Sequence, residues 1–138
     1  MLQKYEKISI RTNGSNLYEI TNNIIVWIKK INLSNGLLNI SIQHTSASLL
    51  LQENADPTVL EDLKIFFLKL VPFNENYLHA TEGHDDMPAH IKTSLTNTNI
   101  TLSLTDKKLN LGTWQGIFLF EHRTTSKNRF VNLHYIGD

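Results

Sequence analysis

The sequence predicts an α+β fold: a single compact domain spanning residues 1–138, with a mostly antiparallel or mixed sheet, two main helices and one short helix. Three observations carry this. Leu38, Ile40 and Ile42 alternate with Asn39, Ser41 and Gln43, the pattern of a half-buried strand. Asp56-Pro57 opens a run in which Val59, Leu60, Leu63, Phe66, Phe67 and Leu70 share one helical face. From residue 99 onward the chain breaks into short strand-like runs separated by turn residues.

The elements follow in order. Residues 2–12 read as a strand ending at Asn13-Gly14. Residues 17–34 read as a helix: Leu17, Ile20, Ile24, Ile28 and Ile31 recur at helical spacing, Ser15 or Asn16 can cap it, and Asn35-Gly36 fits its stop. The strand at 37–43 comes next. The second helix starts at the Asp56 cap and ends at Pro72. Asp86 and Pro88 open a shorter helix through Leu95, with Asp86 as its cap. Strands at 99–105, at 108–123 with a break near Gly112, and at 129–136 complete the chain.

A chain of 138 residues with 41% hydrophobic and 19% charged residues builds one ordinary globular core. Thirteen basic residues balance thirteen acidic ones, so nonspecific nucleic-acid binding is not expected. The absence of cysteine rules out disulfides, thiolate metal sites and thiol nucleophiles. The opening MLQKYEKISI has no signal pattern and no apolar run matches a membrane span, so a cytoplasmic location without membrane contact is expected. Nucleophile elbow, P-loop and dinucleotide glycine patterns are missing.

The densest chemistry lies at residues 79–90, HATEGHDDMPAH. Three of the chain's six histidines, His79, His84 and His90, fall there with Glu82, Asp85 and Asp86. Alternating imidazoles and carboxylates can bind a metal or move protons. Zn²⁺ would favour the histidines and Mg²⁺ the carboxylates Glu82, Asp85, Asp86 or Glu53 with phosphate oxygens. The competing reading is a solvated polar loop before a capped helix.

Two further stretches carry polar groups at strand ends. In HTSASLLLQENADP, residues 44–57, His44 continues the inward phase of its strand, either as a core histidine or as a cleft ligand. Ser46 and Ser48 can hold phosphate or satisfy strand ends. Glu53 and Asn54 sit between a strand end and a helix start, a frequent ligand position. In GTWQGIFLFEHR, residues 112–123, Gly112 and Gly116 bracket Trp114 and Gln115, a pocket wall or a bulged core strand. Arg123 is a natural phosphate ligand or one half of a surface pair with Glu121.

Together these stretches resemble the YjbQ family. Its pattern is matched by HTSA at 44–47, ENADP at 53–57, EGHDDMPAHIK at 82–92, LGTWQGI at 111–117 and EHR at 121–123. The chain departs from it at Asn97-Thr98-Asn99 and Asp106-Lys107-Lys108, where small or glycine-containing turns are usual. The resemblance implies a compact α+β homotrimer with polar clefts near subunit contacts. It also implies an activity like secondary thiamine-phosphate synthase, a transferase that joins a pyrimidine diphosphate to a thiazole phosphate with loss of diphosphate. On that reading His44, Glu53, Asp85, His90 and Arg123 are the catalytic candidates. Ser46, Ser48, Asn54, Trp114, Gln115 and Arg123 contact the small phosphorylated substrate. A divalent metal, Mg²⁺ or Zn²⁺, sits among His44, His84 and His90. Two other readings stand beside it: a metal-dependent hydrolase or phosphatase using those histidines, and a non-catalytic trimeric binding module for a phosphorylated metabolite.

Overall fold

Two twelve-residue strands, β1 (Leu2–Asn13) and β8 (Ser126–Gly137), pair antiparallel over their whole length, from Leu2 opposite Gly137 to Asn13 opposite Ser126. They belong to the larger of two sheets in a computed structural model that describes residues 1–138. That sheet continues through β3 (Gly36–Ile42), β5 (Asn99–Thr105) and the short β6 (Lys108–Leu109), in the order β1-β8-β3-β5-β6. The smaller sheet orders β2 (Asn16–Glu19), β7 (Gln115–Glu121) and β4 (Ala47–Glu53) as β2-β7-β4. Every strand pair is antiparallel. Helices α1 (Thr21–Lys30), α2 (Pro57–Leu70) and α3 (Asp86–Leu95) complete an α+β domain. None of them is long and apolar enough to cross a membrane.

One core joins both sheets to α1. Leu38, Ile40 and Ile42 of β3 meet Val131, Leu133 and Tyr135 of β8, Ile117 and Leu119 of β7, and Ile24, Trp27 and Ile28 of α1. The opposite face of β7 is covered too: Phe118 and Phe120 pack with Leu17 and, from α2, Leu60, Leu63 and Phe67. A strand buried on both faces has no polar alternation, which is why Ile117–Phe120 reads as a continuous apolar run.

The expected helix at 17–34 is two elements. Asn16–Glu19 form β2, paired to β7 from Asn16 opposite Glu121 to Glu19 opposite Phe118. The helix begins only at Thr21, and neither Ser15 nor Asn16 caps it. It ends at Lys30, not at Asn35-Gly36: two residues on, Asn32 turns left-handed at φ 53° and Leu33 N–H bonds back to the Ile28 carbonyl at 3.2 Å. Strand pairing with distant β7 outweighed local helical spacing.

The other sequence-derived elements hold within a few residues. Asp56 caps α2, accepting from the Thr58 N–H at 2.9 Å, with Pro57 in the first turn. The run at 108–123 splits into β6 and β7, and β8 starts at Ser126. The unusual turn between β5 and β6 places Asp106 and Lys107 at φ 48° and 65° without glycine. That strain is offset by three bonds: Asp106 N–H to Asn35 Oδ1 at 2.9 Å, Lys107 N–H to the Ser34 carbonyl at 3.1 Å, and Lys107 Nζ to Asn32 Oδ1 at 2.9 Å.

Candidate functional site

The start of α3 is where the polar motifs converge. Asp86, expected as the helix cap, is instead its first helical residue, and Asp85 precedes it without a side-chain cap bond. Both carboxylates turn to Arg123, which follows β7. Arg123 donates from Nε to Asp85 Oδ2 at 3.0 Å and from Nη1 to Asp86 Oδ1 at 2.7 Å. Its Nη2 donates to the Glu82 carbonyl at 2.9 Å. The side chains are 16%, 6% and 3% exposed for Arg123, Asp85 and Asp86, so these charges pair largely out of water. Burial works to raise the Asp85 pKa, but the Thr124 N–H, the Arg123 guanidinium and the Thr124 hydroxyl outweigh it and bring the pKa down to about 2.

The other Asp86 oxygen faces two imidazoles. His79 Nε2 lies 2.7 Å and His90 Nε2 3.2 Å from Asp86 Oδ2. These three ligand atoms all lie within 4.8 Å of one another. The surroundings orient them. His90 Nδ1 donates to the Thr45 carbonyl at 2.8 Å, which leaves Nε2 as the nitrogen that meets Asp86. Arg123 holds Oδ1 of Asp86 and so turns Oδ2 to the histidines. Two ligand atoms on a tetrahedral zinc, each about 2.0–2.1 Å from the ion, lie about 3.3 Å apart. The His90–Asp86 separation already matches, His79 needs to open from Asp86 by about half an ångström, and the two imidazole nitrogens, within 4.8 Å of each other, need to settle at about 3.3 Å as well. Two imidazoles and one carboxylate therefore fit a borderline divalent ion, and a three-ligand set leaves a further position for water or substrate.

Behind this group lies a buried network. Glu121 Oε2 accepts from Arg129 Nη2 at 2.6 Å, and Oε1 accepts from Arg129 Nε at 2.8 Å and from the Thr12 hydroxyl at 2.6 Å. Arg129 Nη2 also reaches the Ser46 carbonyl and hydroxyl at 3.1 and 2.9 Å. His44 accepts the Phe130 N–H on Nε2 at 3.0 Å, so its Nδ1 bears the proton and the Arg129 Nη1 contact at 3.4 Å is a close approach rather than a second accepted bond. Burial and then the Arg129 charge lower the His44 pKa, with Glu121 opposing. Alongside, Thr96, Ser48 and His122 form a chain: Thr96 Oγ1 to Ser48 Oγ at 2.6 Å and Ser48 Oγ to His122 Nε2 at 2.8 Å. His122 Nδ1 is buried without a partner.

The remaining candidates lie at the other end of the β4–β7 pair. Ala47 is opposite Glu121, and Glu53 is opposite Gln115. Six residue steps separate these ends, about 20 Å at the rise of a strand. Here Asn54 donates from Nδ2 to Glu19 Oε2 at 3.1 Å, and Gln115 Oε1 accepts the Gly112 N–H at 2.7 Å. A Cβ on Gly116 would lie 2.6 Å from Glu19 Oε2 and would push that carboxylate off its Asn54 bond. Trp114 is 62% exposed.

With this geometry in place, comparison with known proteins is decisive for kinship. The family model described as UPF0047 protein YjbQ-like matches residues 6–138. The chain belongs to the YjbQ family. The UPF0047 protein YjbQ of Escherichia coli O157:H7 is 46% identical over 131 residues, covering 94% of this chain and 93% of that one. The UPF0047 protein sll1880 of Synechocystis is 45% identical over 137 residues, covering 99% and 93%. A crystal structure from Clostridium acetobutylicum, titled an uncharacterized conserved protein of the yjbq/upf0047 family, superposes with a TM-score of 0.87 at 31% identity, covering 95% of this chain and 99% of that one.

The YjbQ motifs thus divide between two places in one chain. HTSA, EGHDDMPAH and EHR meet through Thr45, His90, Asp86 and Arg123. ENADP and GTWQG meet through Asn54, whose N–H donates to the Trp114 carbonyl at 2.9 Å. Of the residues expected on the metal, His90 is in the close set, whereas His44 bonds to Phe130 and His84 packs its ring edge-on to Phe73 at 5.0 Å between centroids. His79, which the expected metal set of His44, His84 and His90 leaves out, takes part instead. Ser46 Oγ accepts from Arg129, whereas Ser48 is fully buried between Thr96 and His122. Arg129 and Lys92 escape sequence reading because what buries them is distant in sequence: Glu121 and Ser46 around Arg129, and Phe73 against Lys92.

Proposed function

We propose that the chain is a metal-dependent transferase of the thiamine-phosphate-synthase type, acting on small phosphorylated substrates as a cytoplasmic homotrimer. The observation that carries the metal part is the His79–Asp86–His90 set, its atoms oriented by Thr45 and Arg123. The YjbQ resemblance supports the substrates. In that reaction the C–O bond to diphosphate breaks, the thiazole nitrogen forms the new C–N bond, and diphosphate departs with the bonding electrons. A divalent ion at these three residues supplies positive charge where the leaving group gathers negative charge. Arg123 has three of its N–H groups committed to Asp85, Asp86 and Glu82, so its part is to position the two carboxylates. His79, the most exposed of the three, stands at the mouth.

The ring pocket needs a second copy. Trp114, Gln115, Glu53 and Asn54 lie too far along β4–β7 to serve the histidines of their own chain. In the homotrimer the partner subunit's Trp114 and Gln115 wall the substrate ring. The half-exposed Ile65, Phe66, Leu68 and Leu70 on α2 provide apolar surface for assembly.

A second reading, a metal-dependent hydrolase or phosphatase, is favoured by the open position beside a two-histidine, one-carboxylate set. One assay separates these. Purified protein loaded with Zn²⁺ or Mg²⁺ is given the pyrimidine diphosphate with and without the thiazole phosphate. Thiamine phosphate formed only with both substrates, and lost in His90→Ala, supports the transferase. Phosphate release without the thiazole supports the hydrolase. Tight binding with no turnover leaves a binding module and defeats both enzyme readings.

A further inference from the structure

A cleft of about 330 Å³ opens between α2 and α3, with Phe67, Phe73 and Phe120 among its walls and Lys92 and Lys64 among its polar residues. Lys92 is 2% exposed, yet its ammonium makes no hydrogen bond and no ion pair; its partner is the face of Phe73, 5.4 Å from the ring centroid. The stem is what is buried; the nitrogen itself is not sealed off and opens on the cleft. The other charges of the cleft cancel: Lys64 Nζ pairs with Glu61 Oε1 at 2.7 Å. Asp85 Oδ2 is committed to Arg123 and Thr124. Lys92 is therefore the one cation of the cleft with no bonded counter-charge: Asp85 acts on it only through space, and its ammonium lies among aromatic rings.

We infer that this cleft is a second binding site, which takes a small aromatic monocarboxylate with its head on Lys92 Nζ and its ring among Phe67, Phe73 and Phe120. The volume is at the lower end of small-molecule pockets, which run to about 300–1,000 Å³. Phe67 and Phe120 already meet edge-to-face at 5.4 Å, a geometry that a further ring extends. A single ammonium without an arginine beside it matches a singly charged carboxylate better than a phosphate. The inference is independent of the proposed transfer reaction and of the metal.

The test titrates the full chain with phenylacetate, phenylacetamide and inorganic phosphate, followed by protein amide and phenyl-ring NMR signals. Phenylacetate binds one to one, with contacts from its ring to Phe73 and Phe120. Phenylacetamide and phosphate bind at least about tenfold more weakly, because neither gives the ammonium a matched single charge. Lys92→Met, which keeps the side-chain length, weakens phenylacetate by about tenfold or more. Should that variant fail to fold, Phe73→Leu weakens it by about threefold to tenfold. A metal chelator leaves binding unchanged. Equal binding of acid and amide, ring contacts elsewhere, loss of binding on chelation, or no saturation up to about 10 mM overturns the inference.

Discussion

His90 donates its Nδ1 proton to the Thr45 carbonyl at 2.8 Å, and this one bond aims Nε2 at Asp86. With Nδ1 so engaged, Nε2 faces a carboxylate oxygen 3.2 Å away, a pair that a divalent ion bridges when bound. His79→Ala and His90→Ala are therefore expected to weaken Zn²⁺ binding by at least about 100-fold, more than loss of an outer-shell partner costs. His84→Ala is expected to leave it unchanged, since His84 packs on Phe73 instead. Calorimetric titration of the three variants with zinc checks this; equal losses at His84 and His79 would contradict it.

Arg123→Ala removes the shared partner of two carboxylates that are 6% and 3% exposed. Breaking such a pair leaves uncompensated buried charge, an effect of about 3–5 kcal/mol. Arg123→Lys is expected to recover only part of it, because one ammonium cannot span Asp85 and Asp86 as the guanidinium does. Urea unfolding midpoints report the loss, and zinc affinity falls with it as Asp86 is released.

Glu121 is fully buried and accepts from Arg129, Thr12 and two backbone N–H groups. Glu121→Gln keeps the shape but removes the charge opposite Arg129, so a destabilisation of about 3–5 kcal/mol is expected. Thr12→Val removes one donor to Glu121 and the acceptor of the Lys127 N–H, and is expected to lose about 2 kcal/mol. A ratio near one between the two losses, measured by urea unfolding, would show that the ion pair is not what anchors β8 to β7.

Local patterns made much of the fold legible. Asp56-Pro57 marked α2 to the residue, and the alternation of Leu38, Ile40 and Ile42 marked β3. The element that escaped, β2, did so because Leu17, Ile20 and Ile24 fit a helix equally well, and only pairing with β7, a hundred residues away, decides. The site followed the same rule. Asp86 and His90 are one helical turn apart and visible as neighbours, but His79 joins them through the fold of the preceding loop. The separation of Glu53 and Trp114 from the histidines depends on the register of β4 against β7, which no motif encodes.

His122 gives the fold a pH dependence of known sign. Burial first, then the charges of Lys92 and Arg129, lower its pKa from 6.5 to about 3. Between those values the unfolded chain binds a proton that the folded chain does not. The stability contributed by neutral His122 is therefore complete above pH 6.5, declines by about 1.4 kcal/mol per pH unit below it, and is gone near pH 3. Asp85 acts in the same direction but lower, from 3.8 down to about 2, so the interval between about pH 6.5 and pH 4 isolates the imidazole from it. His44, whose pKa is also lowered, adds a slope of the same sign and is present in both proteins compared. His122→Gln keeps a side chain able to bond to Ser48 but cannot titrate. Urea unfolding of the two proteins across that interval is expected to give a slope shallower in the variant by about 1 kcal/mol per pH unit. Parallel slopes would mean that His122 takes up its proton in the folded chain as readily as in the unfolded one.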